Sequence, residues 1–175
     1  MGDTSNLPTP EEIRALFWLI FDTLDEEVRD ELKRWWAKSG ADAPRIETDP
    51  NRFVSEVIYV ASVGSMIQLR LDRLADRKHS LLRVIYHELA HFYIAAVGRH
   101  TPAGYDKRRE VHESGATKLT KSFSDDLKRA PLKRKKLRAH PLIEKFSRVY
   151  DFSPLYIGDR EFATRLAAEW ASGAK

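Results

Sequence analysis

The segment from His79 to Val97 constrains this chain more than any other. Leu81, Leu82, Val84, Ile85, Leu89, Phe92, Ile94, Ala95 and Ala96 cover nearly the whole circumference of one helix, with Ser80 able to cap its start and Gly98 suited to end it. A helix that is apolar on almost every side is a buried one. Yet this helix also carries His87, Glu88 and His91, three polar groups that are costly to bury without a partner. Histidines four residues apart stand one turn above each other on one face, so their imidazole nitrogens can share a metal ion. In a His-Glu-x-x-His run of this kind His87 and His91 are metal ligands. Glu88, one residue along from the first of them, is placed to take a proton from a metal-bound water rather than to bind the metal.

The rest of the composition narrows that reading. The chain contains no cysteine, which excludes disulfides and every thiolate site, so a metal must be held by His, Asp and Glu. That donor set suits a catalytic zinc better than a structural one. The 175 residues are 42% apolar, enough for one domain with a real core. Thirty basic against 26 acidic side chains leave a net charge of +4, a small excess that does not by itself imply nucleic acid. The N-terminus has no basic patch followed by an apolar run, and no window approaches 18 uncharged apolar residues, so a soluble cytoplasmic protein with no membrane contact is expected.

Taken in order, the chain starts with a capping box. Thr9, Pro10 and Glu12 open a helix whose apolar positions Ile13, Leu16, Phe17, Ile20, Leu24, Val28, Leu32 and Trp35 recur at three and four, predicting one amphipathic helix over 9–38. Trp18, Trp35 and Trp36 fall at helical spacing and read as packing residues. Residues 41–50, rich in Asp, Pro and Thr, read as a loop. Phe53–Ala61 and Met66–Leu71 read as two strands of a hairpin separated by Ser62–Ser65. In the second, Ile67, Leu69 and Leu71 alternate with Gln68, Arg70 and Asp72, as in a half-exposed edge strand. An extended peptide could add there, pairing with Met66, Ile67, Gln68, Leu69 and Arg70.

A catalytic zinc needs a third protein ligand. A third histidine six residues after the second, the metzincin arrangement, is absent, because Val97 stands there. The alternative is a glutamate on a second helix packed against the first. Glu113 and Glu110 both fit, being one turn apart on one face of a helix expected to begin near Asp106. Ser114, Gly115 and Ala116 follow Glu113 and would let the two helices approach closely, which favours Glu113. His100, Tyr105 and His112 lie close enough in sequence to donate a hydrogen bond to a developing oxyanion.

His87-Glu88-Leu89-Ala90-His91 followed by Glu113-Ser-Gly-Ala116-Thr-Lys-Leu119 resembles the small gluzincin metallopeptidases, most closely the ImmA/IrrE type. The resemblance covers residues 53–123 and also includes the order of strand, active-site helix and glutamate helix. It implies one zinc per chain held by His87, His91 and Glu113, a substrate-binding edge strand, and cleavage of a regulatory protein. Two features depart from the family: Thr117 stands where an Asn or Asp is usual, and the motif that often ends the glutamate helix is missing.

The C-terminal region, 124–175, reads as helical, with breaks at Pro131 and at Asp151–Pro154, and a last helix from Asp159 through Trp170 with Ala167 inward. Lys133, Arg134, Lys135, Lys136 and Arg138 form a basic run that could meet an acidic partner or nucleic acid, although such a run is more often a solvated face. The expectation is thus a mostly helical α+β domain with a minigluzincin-like core and a small antiparallel sheet beside the active-site helix. Its expected activity is zinc-dependent hydrolysis of a peptide bond in a specific intracellular protein, with a non-proteolytic metal-sensing or partner-binding role as the alternative.

Overall fold

Two short helices, α1 (Pro10–Phe21) and α2 (Glu26–Lys38), stand where one long helix was expected. In an unbroken helix Trp18 and Trp36 would lie about 27 Å apart, at 1.5 Å per residue. In the computed structural model their ring centroids are 6.3 Å apart, because the chain turns at Asp22–Asp25 and folds back on itself. Thr23 makes the turn possible: its Oγ1 donates to the Ile20 carbonyl at 2.6 Å, and its own N–H bonds to the same carbonyl. The apolar periodicity runs through the break, since Leu24 is buried with its neighbours, and that continuity hides the turn from a helical reading. α1 begins with the expected reciprocal box, Glu12 N–H to Thr9 Oγ1 at 3.2 Å and Thr9 N–H to Glu12 Oε2 at 3.0 Å.

The structure describes residues 8–38, 80–98 and 113–155, the backbone of three short strands and of 109–112, and the helical positions Thr164, Ala167, Ala168, Ala171 and Ser172. Beyond the first two helices, the described residues form α3 (Leu81–Val97), α4 (Arg109–Lys128), α5 (Pro131–Arg138) and α6 (Pro141–Phe146). No described helix is long and apolar enough to cross a membrane. Most of the last predicted helix, including Asp159, Phe162, Leu166 and Trp170, lies outside the described residues. Ala167, expected inward, is exposed.

The expected small antiparallel sheet is corrected. Among the residues described with their side chains, every named element is a helix, and the strands β1 (Arg45–Thr48), β2 (Glu56–Val60) and β3 (Gly64–Leu69), described by their backbone, form a mixed ladder in the order β1-β3-β2. β2 pairs antiparallel with β3, Val57 opposite Ile67, whereas β1 pairs parallel with β3, Ile46 opposite Ile67. The segment Met66–Leu69 is therefore central rather than an edge, and both sides of its backbone are paired; Arg70 lies outside the described residues. β1 escaped the sequence reading because its four residues, Arg-Ile-Glu-Thr, carry one apolar side chain and lie between Pro44 and Pro50.

α3 is the axis of the core, with Leu81, Leu82, Ile85, Tyr86, Leu89, Ala90, Phe92, Ala95 and Ala96 buried. On one side Phe92 meets Trp35 and Trp36 of α2 at centroid distances of 5.6 and 5.7 Å. On the other, Tyr86 packs edge-on against Phe123 of α4 at 5.8 Å. Ser80 caps α3, accepting from the Arg83 N–H at 3.4 Å and donating to the Ser153 carbonyl, while Leu81 N–H bonds to the Asp151 carbonyl at 2.8 Å. Gly98 ends the helix with φ of −72°, a conformation open to any residue.

The basic run is largely absorbed by the fold. Arg134 is buried and donates to the Leu127 carbonyl at 3.1 Å, Arg138 donates to the Leu155 carbonyl at 2.9 Å, and Lys133 reaches the Thr23 carbonyl at 3.3 Å. Those bonds satisfy carbonyls at chain turns, while Lys133, Lys135 and Lys136 remain exposed on α5.

Two side-chain ties in this framework are open to direct measurement. Burial pushes the Tyr86 phenol up, so it stays protonated, and with the Thr23 proton committed to Ile20 the phenol must donate to Thr23 Oγ1. Tyr86→Phe should therefore lower stability by about 1 kcal/mol in urea unfolding, without changing the urea slope. The Lys145 ammonium, 2.6 Å from Glu12 Oε1, and the Thr9 N–H hold the Glu12 carboxyl below its usual value. This tie stabilises the fold above the unfolded carboxylate value and is lost as pH falls through the lowered one. Lys145→Met should move the Glu12 titration upward in a carboxyl NMR experiment.

Candidate metal centre

The Ser80 cap and the apolar packing fix α3 so that His87 and His91 project from one face, one turn apart. Their rings stand edge to face, with centroids 4.7 Å apart and planes at 87°, and their Nε2 atoms are 3.2 Å apart. Glu113, from the N-terminal half of α4, closes the group. Its Oε1 lies 2.8 Å from His87 Nε2 and its Oε2 3.1 Å from His91 Nε2. All three residues thus offer donor atoms within 4.8 Å of one another.

Two imidazole nitrogens and a carboxylate at such separations need a proton or a cation among them, since their lone pairs otherwise repel. Donors bound tetrahedrally at about 2.0–2.1 Å are roughly 3.3–3.4 Å apart; the 3.2 and 3.1 Å spacings match such an ion to within a few tenths of an ångström, and the 2.8 Å spacing is shorter by about 0.6 Å. Imidazole with carboxylate suits a borderline transition ion rather than calcium or magnesium. The group is graded in exposure: the His91 side chain is fully buried, that of His87 is 25% exposed and that of Glu113 57% exposed. A ligand or substrate would therefore approach from the Glu113 side.

α4 can bring Glu113 this close because the residues next along the helix are small. A Cβ added to Gly115 would lie 3.0 Å from Ile94 Cδ1, and Ala116 is fully buried against α3. The small residues seen in the sequence do what close helix contact requires. Glu88 is 2% exposed and stands outside the three-donor group, as a base rather than a ligand would.

Among the expected site residues, His87, His91 and Glu113 come together. The side chains of Glu110 and His112 are outside the described residues, although both positions lie on α4, and His100 and Tyr105 are outside altogether. One neighbour of the group was missed. Thr120 Oγ1 lies 3.3 Å from His87 Nδ1, and its signal was available: it is seven residues after Glu113, two turns along the same face.

Replacing Gly115 separates contact from propensity. Gly115→Ala gains helix propensity of about 1 kcal/mol and meets only the flexible end of Ile94, so its thermal midpoint should stay near the parent's. Gly115→Val should push α4 outward, costing about 1–3 kcal/mol in denaturant unfolding and weakening metal binding in the same protein.

Comparison with family models, with curated proteins and with solved structures returns no match to this chain, so the reading of the centre stands on its own geometry.

Proposed function

We propose that this chain is a zinc-dependent hydrolase of amide bonds in protein or peptide substrates, with His87, His91 and Glu113 as ligands and Glu88 as the general base. The observation that carries this reading is the meeting of both Nε2 atoms with the Glu113 carboxylate, contributed by two helices and by residues 26 and 22 positions from it in the chain. A two-His, one-Glu set with a Glu next to the first His is the arrangement that hydrolytic zinc sites use. When bound, zinc supplies a Lewis acid that makes water a nucleophile near neutral pH and polarises the substrate carbonyl.

The remaining work falls to side chains. Glu88 accepts the proton of the attacking water and returns it to the departing amine. Its burial keeps that carboxylate away from bulk water. Buried His91 anchors the group, and exposed Glu113 sits where substrate arrives. The resemblance to the ImmA/IrrE type supports a protein as substrate, while the central position of β3 means that the substrate does not pair with that strand.

Metal content and peptide cleavage test the proposal together. Parent protein purified without added metal should carry close to one zinc per chain by elemental mass spectrometry, lost in His87→Ala and reduced in Glu113→Ala. Glu88→Gln should keep its zinc and cleave a fluorescence-quenched peptide library about 10²–10⁴-fold more slowly. A parent that takes up no zinc when supplied with it would overturn the metal reading. Bound zinc with cleavage unchanged in Glu88→Gln would overturn the role of Glu88.

A further inference from the structure

We infer that Thr120 is a positioning residue that holds His87 in the tautomer protonated at Nδ1, and so aims the Nε2 lone pair at the point shared with His91 and Glu113. This rests on the metal reading above and deepens it. Counting protons leads to the assignment. A threonine hydroxyl has one hydrogen and two lone pairs. Thr120 Oγ1 lies 2.7 Å from the Ala116 carbonyl, an oxygen that can only accept, so the hydroxyl proton is committed there. The same Oγ1 is 3.3 Å from His87 Nδ1, and with its proton committed it can only accept from that nitrogen. Nδ1 must therefore carry the hydrogen. Nε2, 2.8 Å from the Glu113 carboxylate, then needs either a second hydrogen or a cation beside it, and with a cation in place it is the lone-pair donor.

Helix geometry makes the arrangement dependable. Threonine in a helix has a χ1 state in which Oγ1 bonds the carbonyl four residues back. That bond fixes the rotamer and turns the remaining lone pairs away from α4. Thr117 makes the same bond, to the Glu113 carbonyl at 3.0 Å, but its side chain is exposed on the outer part of the helix. Of these two threonines, Thr120 is the one with an imidazole in reach. Gly115 and Ala116, one turn earlier, bring α4 near enough to α3 for that contact. A partly exposed imidazole such as His87 would otherwise share Nδ1 with water and sample both tautomers. In water the neutral side chain favours the hydrogen on Nε2, which is the form that cannot bind metal through that atom.

The test uses the tautomer itself as its signal. Long-range ¹H–¹⁵N correlation spectra of metal-free, histidine-labelled protein, read throughout in a Glu113→Ala background so that no carboxylate faces Nε2, and taken where imidazoles are neutral, should show His87 with its hydrogen on Nδ1 when Thr120 is present. The isosteric Thr120→Val should shift His87 toward the Nε2–H form, and Thr120→Ser, which keeps the hydroxyl, should restore it. Zinc affinity, measured by competition with a chromophoric chelator, should fall about 10–100-fold in Thr120→Val and recover in Thr120→Ser. A folded Thr120→Val protein, verified by its thermal melt, that retains the Nδ1–H signature and parental zinc affinity would overturn the inference. The spectra need no metal, so a parent that fails to bind zinc would defeat the metal reading while the response of His87 still decides the part played by Thr120.

Discussion

How closely α3 and α4 approach governs everything at the candidate metal centre. Three donor atoms can share one point only if the helices that carry them are nearly touching, and ordinary side chains hold helix axes about 8–10 Å apart. Gly115 and Ala116 remove that spacer at one turn of α4, immediately after the residue that must reach across. A glycine inside a helix costs about 1 kcal/mol relative to alanine, so its presence at this contact is offset by the packing it permits. Glu113 and Thr120, on either side of the contact, then address the two nitrogens of a single imidazole.

α3 in turn is held from three directions by different kinds of force. Trp35 and Trp36 grip Phe92 by dispersion and hydrophobic contact near the C-terminal half. Thr23, at the turn that splits the N-terminal helices, receives the Tyr86 phenol near the middle. The segment Asp151–Ser153 receives the first turn by hydrogen bonds to Ser80 and Leu81. A helix clamped at its start, middle and end has little freedom to rotate, and rotation about its axis is the motion that would disperse His87 and His91.

The centre was more legible in the sequence than the fold around it. His87 and His91 announced themselves because residue type and spacing put two donors on one face of one helix, and the small residues after Glu113 pointed to a close helix contact. Thr120 was harder to see, since its value depends on which neighbour its lone pair faces. The turn at Asp22–Asp25 was hidden for a different reason: Leu24 and Val28 keep the helical period across it, and only tertiary contact between Trp18 and Trp36 reveals the reversal. β1 is too short and polar to signal a strand, and without it β3 looked like an edge. The basic run read as a solvated face or a surface for a partner, yet Arg134 and Arg138 turn inward to carbonyls of the same chain. Charge content is visible in a sequence, whereas the direction a long side chain takes is decided by unmet acceptors nearby.

The cap on α3 has a consequence for how the protein is made. All three donors are present in a nascent chain once residue 113 has been synthesised, but the carbonyls that receive Ser80 and Leu81 belong to residues 153 and 151. The ties to Thr23 and Glu12 likewise wait for Lys133 and Lys145. A growing chain therefore carries the three donor side chains well before the start of α3 is tied down, and contacts between such distant residues are slow to form. Until the segment around Asp151–Ser153 has emerged from the ribosome and docked, the helix that carries two of the donors lacks the tie at its first turn, and the chemistry proposed for the centre has to wait for it.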